Sequence, residues 1–474
     1  MGVLNMLKIF RLVFSCALCT GVVFIYNSLY SSNAAGETAP YANVDFSKKA
    51  GIIKPLHGVN ESPIVFNGSL PEFIEAGIPY VRLHDVGGRY GGSCFVDIPN
   101  VFPDFNADPE DPNSYDFAFT DAYIATLVNS GVKVFYRLGV TIENYHKIKA
   151  YRIHPPVDNL KWAKICEGII RHYNEGWAKG FKYGIEYWEI WNEPEIPQMW
   201  TGTKEQFFEL YRVAANYLKK RFPEIKVGGY ASCGFYAITG ENTSSFNKSL
   251  VQYFNDFLKY ISAPGTRAPL DFFSWHLYFA NPDTIAKHAE YVRSKLDENG
   301  FANVESIFNE WNDNTRIDES DLRRTYLGAS NVGAAFCIMQ DAPIDKAMYY
   351  NARPGGVYCG LYEPPNKLAK SYFVFKAFNE LKKLGNAALC ESSRDRGIYV
   401  CAAISDSGKE RAILVSNNSP DRKRVKMSFN GKLKSCLIID DRYSYAELNF
   451  MYDKKNSTLD MRGKSVALLK IEAP

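Results

Sequence analysis

The sequence lacks the patterns that would indicate a zinc protein, a dinucleotide-binding protein or a nucleic-acid-binding protein. Eight of its ten cysteines lie beyond residue 35, and no two of these eight form a Cys-x-x-Cys pair, which disfavours a zinc site. No Gly-x-Gly-x-x-Gly follows the first predicted strand, which argues against a Rossmann sheet. The formal net charge is only +3 and no long basic run occurs, so nothing indicates a nucleic-acid partner.

The composition is that of a globular protein with more than one domain. The chain has 474 residues, of which 46% are hydrophobic and 23% are charged. This length suits a barrel of roughly 250 to 350 residues together with a smaller unit. Aromatic residues make up 15% of the chain. Most of them must be core, although sugar-binding clefts also use aromatic faces.

The first 35 residues are interpreted as a targeting segment. Lys8 and Arg11 precede an uncharged stretch over residues 12–26, and small residues follow around Ala34. This order is typical of an export signal, so we expect a secreted, periplasmic or cell-surface protein. An uncleaved signal-anchor is the alternative, and only that form would contact a membrane. Residues 36–50 are interpreted as a linker or a strand.

Residues 51–384 alternate eight times between a strand pattern and a helix pattern. Eight such units in series predict a closed (β/α)8 TIM barrel of the α/β class, with an open doubly wound sheet as the rival. The predicted strands cover residues 51–59, 80–85, 132–138, 186–191, 227–231, 272–278, 304–308 and 347–350.

After residue 384 the pattern changes to short strands separated by turn residues, with no helix between them. Such a pattern is typical of a small antiparallel β-sandwich, which we predict for residues 385–474. This unit would either bind sugar or brace the barrel.

Two strand ends of similar design carry the candidate chemistry. The apolar strand that contains Trp188 and Ile190 ends in Asn192 and Glu193, and Pro194 then stops regular pairing. The seventh strand likewise ends in Asn309 and Glu310, followed by Trp311. Strands four and seven face each other across a barrel mouth. Two carboxylates that face one pocket are the minimum equipment for glycoside hydrolysis.

Other strand ends add polar groups to the same mouth. The second strand supplies Arg82 and His84, and the sixth supplies Trp275, His276 and Tyr278. A Tyr hydroxyl or an Arg guanidinium beside a carboxylate can hold it ionised, as a nucleophile requires. The acid that gives a proton needs a raised pKa, which burial among the tryptophans at positions 188, 191 and 275 and repulsion from the second carboxylate would supply.

These motifs also carry a family resemblance. The segments 191–194, reading Trp-Asn-Glu-Pro, and 308–311, reading Phe-Asn-Glu-Trp, resemble the acid/base and nucleophile motifs of retaining barrel glycosidases of clan A. More narrowly, the chain from about residue 51 to its end resembles glycoside hydrolase family 39, which holds β-xylosidases and α-L-iduronidases. The segments 82–85, 274–278 and 360–375 belong to this resemblance, and the family also carries a trailing β-sandwich.

The resemblance implies roles for individual residues. Glu193 would be the general acid/base and Glu310 the nucleophile, and Asn192 would bind the sugar 2-hydroxyl. The chain departs from related barrels at the eighth strand end, where they often carry a Trp and it carries Met348 and two tyrosines. The full set of expected substrate-binding residues is His57, Arg82, His84, Asn192, Trp275, His276, Tyr278, Asn309, Trp311 and Tyr350; within it Trp275, Trp311 and Tyr350 are the candidates for stacking on the sugar.

The resulting hypothesis is a secreted retaining glycosidase that acts on β-linked sugars, with β-xylosidase activity as the leading interpretation. Acid/base and nucleophilic groups suffice for this chemistry, so neither a metal nor an organic cofactor is expected. One alternative is a hydrolase of the same fold for another glycoside, such as an α-L-iduronide, an arabinoside or an internal polysaccharide bond. The other is a non-catalytic surface protein that binds sugar.

Overall fold

The computed structural model describes residues 39–63, 68–86, 95–141, 151–240, 243–364 and 366–474. The predicted export segment lies outside these residues. Along the described chain, no helix combines the length and the apolar character that crossing a bilayer requires.

The N-terminal part of the described chain contains a closed barrel of parallel strands. The strand β1 (Tyr41–Ile52) precedes the barrel, whose strands, in order, are β2 (Gly58–Asn60), β3 (Tyr80–Leu83), β4 (Lys133–Leu138), β5 (Tyr187–Ile190), β6 (Lys226–Ser232), β7 (Phe272–Phe279), β8 (Glu305–Asp313) and β9 (Lys346–Tyr349). Strands β2 to β9 form the barrel in chain order, and β9 pairs back with β2. The predicted (β/α)8 barrel is therefore confirmed.

Helices follow the barrel strands and cover the outside of the barrel. They are α1 (Leu70–Glu75), α2 (Ile98–Val101), α3 (Ala118–Asn129), α4 (Asn159–Asn174), α5 (Lys204–Arg221), α6 (Ser245–Ser262), α7 (Thr284–Glu298), α8 (Tyr326–Asp341) and α9 (Lys370–Leu384). The short helix α2 lies in the long segment between β3 and α3. The helix α5 begins with a complete capping box, in which Thr203 and Gln206 satisfy each other's backbone N–H groups.

A curled, mainly antiparallel sheet forms the C-terminal part, as predicted. After a small hairpin of β10 (Tyr362–Glu363) and β11 (Lys367–Leu368), its strands are β12 (Asn386–Ser392), β13 (Ile398–Ile404), β14 (Glu410–Asn417), β15 (Lys423–Ser428), β16 (Lys432–Ile439), β17 (Ser444–Glu447), β18 (Tyr452–Asp453), β19 (Thr458–Met461) and β20 (Ser465–Glu472). The sheet has its own core, while residues such as Cys401 and Leu414 pack with the barrel core. The Ser416 hydroxyl also donates to the backbone oxygen of Ser330 in α8.

The N-terminal strand β1 belongs to this C-terminal sheet. It pairs antiparallel with β12 on one side and parallel with β15 on the other. The first barrel strand is consequently shorter than predicted: it is Gly58–Asn60, because residues 51 and 52 end β1 and Pro55, which has no N–H to donate, lies in the connection. The C-terminal sheet is thus completed by a strand from the other end of the chain.

The barrel interior changes character from bottom to top. Near the N-terminal ends of the strands, an apolar layer fills it, formed by Tyr80, Phe135, Tyr187, Phe272, Ile307 and Met348. Two residues further along β3 and β5 come Arg82 and Glu189, both fully buried. Since side chains alternate between the two faces of a strand, these polar groups point inward above the apolar layer. They lead directly to the barrel mouth.

The position of β1 predicts that substitutions at two neighbouring residues have very different effects on stability. Ala42 is fully buried in the core of the C-terminal sheet, whereas Asn43 is exposed on the opposite face. We expect Ala42→Asp to cost about 3 kcal/mol of unfolding free energy, because it buries a carboxylate without a partner, and Asn43→Asp to cost less than about 0.5 kcal/mol. Thermal and urea unfolding measure both; equal effects would contradict this position of β1.

Candidate active site

The two predicted acids lie together at the C-terminal ends of the barrel strands. Glu310 is on β8, and Glu193 follows β5 by three residues. Trp191 and Glu193 both have positive φ angles, 74° and 45°, which are unusual for residues other than glycine. The Glu193 N–H donates to the backbone oxygen of Ala231 at 2.9 Å, so this turn is fixed to the neighbouring strand end. Backbone strain of this kind concentrates at functional sites.

The carboxylates of Glu193 and Glu310 share one pocket with the His276 ring. A carboxylate oxygen of each acid and a ring nitrogen of His276 all lie within 4.8 Å of one another. His276 is fully buried, and the side chains of Glu193 and Glu310 are only 15% and 9% exposed. The two acids are therefore close enough to act on the same bond.

Two strong donors hold the carboxylate of Glu310. Arg82 Nη1 donates to its Oε2 at 3.0 Å, and the Tyr278 hydroxyl donates to its Oε1 at 2.9 Å. His276 Nε2 lies 3.7 Å from the same Oε2. Burial raises the pKa of Glu310, and the positive charge of Arg82 and the Tyr278 hydrogen bond act against this rise. Donation to both oxygens favours the ionised form.

The environment of Glu193 is different and favours the protonated form of its carboxyl group. His276 Nδ1 lies 2.7 Å from its Oε1, and the Cys233 thiol donates a hydrogen bond to the carboxylate. Burial raises the pKa of Glu193 to about 7, against a usual value of 4.5, and this effect outweighs the positive charge of Arg82 and the Cys233 hydrogen bond, which both lower the pKa. Burial also lowers the pKa of His276 to about 4, so this imidazole is neutral at neutral pH. A carboxyl group with a pKa near the working pH suits general acid/base work.

Asn192 is oriented by Arg82. Arg82 Nη2 donates to Asn192 Oδ1 at 2.6 Å. Because a guanidinium only donates, the amide oxygen must face Arg82, and the Nδ2 donor of Asn192 points away from it. This orientation presents an N–H donor, which is what binding to a sugar hydroxyl oxygen requires.

His84 lies at the edge of the same site, with its tautomer fixed by a neighbour. Arg137 Nε donates to His84 Nδ1 at 3.2 Å, so the proton of the neutral ring is on Nε2. That nitrogen lies 3.2 Å from Asp85 Oδ1 and 4.0 Å from Glu310 Oε2. The Tyr350 hydroxyl donates to the other oxygen of Asp85 at 2.6 Å.

Three of the predicted sugar contacts face away from the mouth. His57 precedes β2 at the opposite end of the barrel, where its Nε2 lies 3.0 Å from the Gly77 backbone oxygen and its ring contacts Phe378. Trp275 stacks on Phe308 with ring centroids 4.3 Å apart, and Trp311 packs among helix and strand aromatics outside the barrel. The predictions for His57, Trp275 and Trp311 are wrong.

Strand alternation explains these errors. On β7, His276 and Tyr278 point into the barrel, so Trp275, which directly precedes His276, must face the helices. Trp188 and Trp191 likewise belong to the hydrophobic core, where Trp188 stacks on Tyr136. The raised pKa of Glu193 thus comes from burial in the mouth itself. His57 was expected at the mouth because the first strand was predicted to begin too early.

The remaining predicted residues lie in or just beneath the mouth. Asn309 is fully buried below the acids, where its amide donates to Glu189 Oε1. Tyr350 is at the mouth and is partly exposed. Its ring centroid lies 6.5 Å from that of Tyr278 and 5.6 Å from that of Tyr358. Of the three stacking candidates, Tyr350 is the one that the structure places at the site.

Sequence reasoning missed several residues of the site. Asn60 and Glu189 contact Arg82 from inside the barrel, and each is a polar residue within an apolar strand, which is the signal that could have identified them. Cys233 and Tyr358 lie in connecting segments after β6 and β9, where no periodic pattern indicates which way a side chain points.

Among the described residues, one group is spaced closely enough to hold a metal ion: Glu193, His276 and Glu310. His276 already contacts Glu193 at 2.7 Å, and Glu310 is paired with the positive charge of Arg82 at 3.0 Å. A guanidinium at this distance would repel a cation. The arrangement fits acid/base and nucleophilic chemistry better than metal binding.

A parallel eight-stranded barrel with two facing glutamates at the ends of its fourth and seventh strands has the architecture of a barrel glycosidase. The family model for glycosyl hydrolases family 39 matches residues 75–329, more than half of the chain, and this match includes both acids. The chain belongs to this family.

Two curated relatives show similarity over part of the chain. A β-xylosidase of Geobacillus stearothermophilus is 27% identical over 226 residues, which are 45% of this chain and 40% of the relative. A β-xylosidase of Caldicellulosiruptor saccharolyticus is 28% identical over 165 residues, 33% of this chain and 31% of the relative. The matched region spans less than half the length of each relative.

Solved structures match the fold over nearly the whole chain. A glucosidase from Croceicoccus marinus has a TM-score of 0.70 at 21% identity and covers 92% of this chain and 100% of its own. A monomeric β-xylosidase from Caulobacter crescentus CB15 has a TM-score of 0.62 at 18% identity with the same coverage. At these identities the likeness concerns the fold alone.

The raised pKa of Glu193 predicts a pH-dependent loss of stability. Below pH 4.5 the carboxyl is protonated in both the folded and the unfolded chain; between pH 4.5 and about 7 only the unfolded chain loses the proton, and above pH 7 the folded chain must bury a charge. We expect Glu193→Gln to raise the unfolding free energy by about 2 kcal/mol at pH 8 and to leave it unchanged at pH 4.

The control for this stability measurement is Glu224→Gln, which changes an exposed glutamate on the connection between α5 and β6. It should alter the unfolding free energy by less than about 0.5 kcal/mol at both pH values. An equal gain for Glu193→Gln at pH 4 and pH 8 would show that the pKa of this carboxyl is not raised.

Proposed function

We propose that the protein is an exported retaining glycoside hydrolase that cleaves β-linked glycosides, with β-xylosides as the leading substrates. The observation that carries this proposal is the approach of the Glu193 and Glu310 carboxylates to within 4.8 Å in one buried pocket. Retaining glycosidases hold their two carboxyl groups roughly 5 to 5.5 Å apart, whereas inverting enzymes need roughly 6.5 to 9.5 Å to admit a water molecule.

The reaction proceeds by double displacement. A Glu310 oxygen attacks the anomeric carbon and forms a covalent glycosyl ester, while Glu193 gives its proton to the departing glycosidic oxygen. In the second step Glu193, now ionised, removes a proton from water. The resulting hydroxide attacks the anomeric carbon, the ester bond breaks, and Glu310 returns as a carboxylate. Two inversions leave the configuration of the sugar unchanged.

The surroundings of the two acids support this assignment of roles. Glu310 accepts hydrogen bonds from Arg82 and Tyr278, which stabilise a negative charge and so suit a nucleophile. The pKa of about 7 lets Glu193 hold a proton at neutral pH and release it when the leaving oxygen needs it. Asn192, whose amide N–H faces away from Arg82, would bind the sugar 2-hydroxyl.

The choice of β-xylosides rests on the two curated relatives, both of which are β-xylosidases. Export rests on the basic and apolar pattern of the first 35 residues. A secreted enzyme of this type would meet its carbohydrate substrate outside the cell.

A panel of nitrophenyl glycosides tests the reaction and the substrate together. We expect hydrolysis of the β-xyloside in preference to the arabinoside, the glucoside and the iduronide, with the β-anomer as the first product by NMR. An inverted product would overturn the retaining mechanism. Binding of xylose or xylo-oligosaccharides without hydrolysis of any panel member would overturn the enzymatic proposal.

Two substitutions separate the roles of the acids. Glu310→Gln should lower kcat by at least about 10⁴-fold on every substrate, because no nucleophile remains. Glu193→Ala should lower kcat/KM by about 10² to 10⁴-fold on substrates with poor leaving groups and much less on the dinitrophenyl glycoside, whose departure needs no proton. Added azide should then yield the β-glycosyl azide. Full activity of Glu193→Ala on poor leaving groups would refute its acid role.

A further inference from the structure

Glu189 is a fully buried carboxylate that sits one layer below the proposed catalytic acids. It lies on β5, and its side chain has no exposed surface. Arg82 Nε donates to its Oε2 at 2.8 Å, and Asn309 Nδ2 donates to its Oε1 at 2.5 Å. Both oxygens accept N–H bonds, which is the arrangement of an ionised carboxylate. Glu189 is too deep to touch a sugar.

The contact with Arg82 reaches the active site because a guanidinium group is planar and rigid. Glu189 holds the Nε edge of this plane. The other nitrogens then point in set directions: Nη1 donates to Glu310 Oε2 at 3.0 Å and Nη2 donates to Asn192 Oδ1 at 2.6 Å. Because the guanidinium plane is rigid, the hydrogen bond that fixes Nε also fixes the directions of Nη1 and Nη2. The orientation of both Glu310 and Asn192 therefore depends on Glu189.

The hydrogen bonds around Glu189 form a closed ring across the barrel. Arg82 Nη1 also donates to Asn60 Oδ1 at 3.0 Å, and Asn60 Nδ2 donates to the backbone oxygen of Asn309 at 2.8 Å. The side-chain amide of Asn309 donates to Glu189 and so closes the ring. The ring joins β2, β3, β5 and β8 and includes the residue that precedes Glu310. It therefore positions Glu310 through both Arg82 and the backbone.

We propose that Glu189 is a positioning residue that orients the Arg82 guanidinium toward Glu310 and Asn192 and shares its positive charge with Glu310. This role rests on the proposed function, in which Glu310 attacks the sugar. The shared charge matters because Arg82 faces two carboxylates. If Glu189 were neutral, the whole positive charge of Arg82 would act on Glu310, which would make that carboxylate easier to ionise and a weaker nucleophile.

Asn309 makes it possible to test the charge of Glu189 separately from the hydrogen bonds that Glu189 makes. Its Oδ1 is a buried acceptor with no hydrogen-bond partner among the described residues. In Glu189→Gln, the glutamine oxygen can still accept from Arg82 Nε, and a flipped Asn309 amide can accept from the new NH2 group. This variant keeps the ring and removes one charge. Glu189→Ala removes both the charge and the hydrogen bond that orients Arg82.

The experiment compares these two variants with wild type in the pH dependence of kcat/KM. For Glu189→Gln we expect the acid limb to move to lower pH by about one unit, with kcat/KM lowered about 10-fold at the optimum. For Glu189→Ala we expect kcat/KM to fall by about 100-fold, so that the Gln variant keeps about 10 times the activity of the Ala variant. The control is Glu305→Gln, a change to another ion-paired glutamate at the other end of β8, which should lower the melting temperature without moving the acid limb.

A second readout does not depend on turnover. In protein labelled with ¹³C at the glutamate carboxyls, the Glu310 signal is assigned by its loss in Glu310→Gln. We expect it to titrate at lower pH in Glu189→Gln than in wild type. An unmoved titration, or a Glu189→Ala enzyme that loses thermal stability while keeping the wild-type kcat/KM, would overturn the proposal. A moved titration in a protein that hydrolyses no glycoside would overturn the proposed function alone.

Discussion

The buried guanidinium of Arg82 is the group on which the rest of the site depends. A charge in the barrel interior is costly unless it is paired and hydrogen-bonded, and Arg82 is surrounded by Glu189, Glu310, Asn60 and Asn192. Its five N–H donors lie in one rigid plane, so each partner constrains the positions of the others. The site is held together by this group.

The barrel makes such a cluster possible. Its strands alternate side chains between an outer face, which packs on the helices, and an inner face, which is apolar at the bottom and polar towards the mouth. Large tryptophans next to the acids are therefore structural: they pack the strand ends against the helices and leave the mouth to Tyr278, Tyr350 and Tyr358. The same alternation brings residues from β2, β5 and β8 onto Arg82.

The difference between the two acids arises from what surrounds each of them. Glu310 is next to a cation and a phenol, while Glu193 meets a neutral imidazole and a thiol. Burial raises the pKa of both carboxyls, but only Glu310 has a guanidinium in direct contact to oppose the rise. In the proposed mechanism, these chemically identical side chains take different steps of one reaction.

Much of the fold could be predicted because it is encoded locally. The alternation of strand and helix patterns predicts the barrel, and the Asn-Glu pairs at two strand ends predict the acids, since both signals lie within short stretches of sequence. The membership of β1 in the C-terminal sheet could not be predicted, because it depends on pairing with β12 and β15, more than 300 residues away. The position of His57 could not be predicted for the same reason, because it depends on where β1 ends and β2 begins.

The sequence by itself thus determined the barrel, the C-terminal sheet and the two acids with Asn192, Arg82, His276 and Tyr278. Only the tertiary structure decided which side chains next to these residues face the mouth. It places Trp275 and Trp311 on the outside of the barrel. It also revealed the ring of Asn60, Arg82, Glu189 and Asn309. The physical reason is that a hydrogen bond between strands depends on register and on the face that each residue occupies, and both are set when the barrel closes.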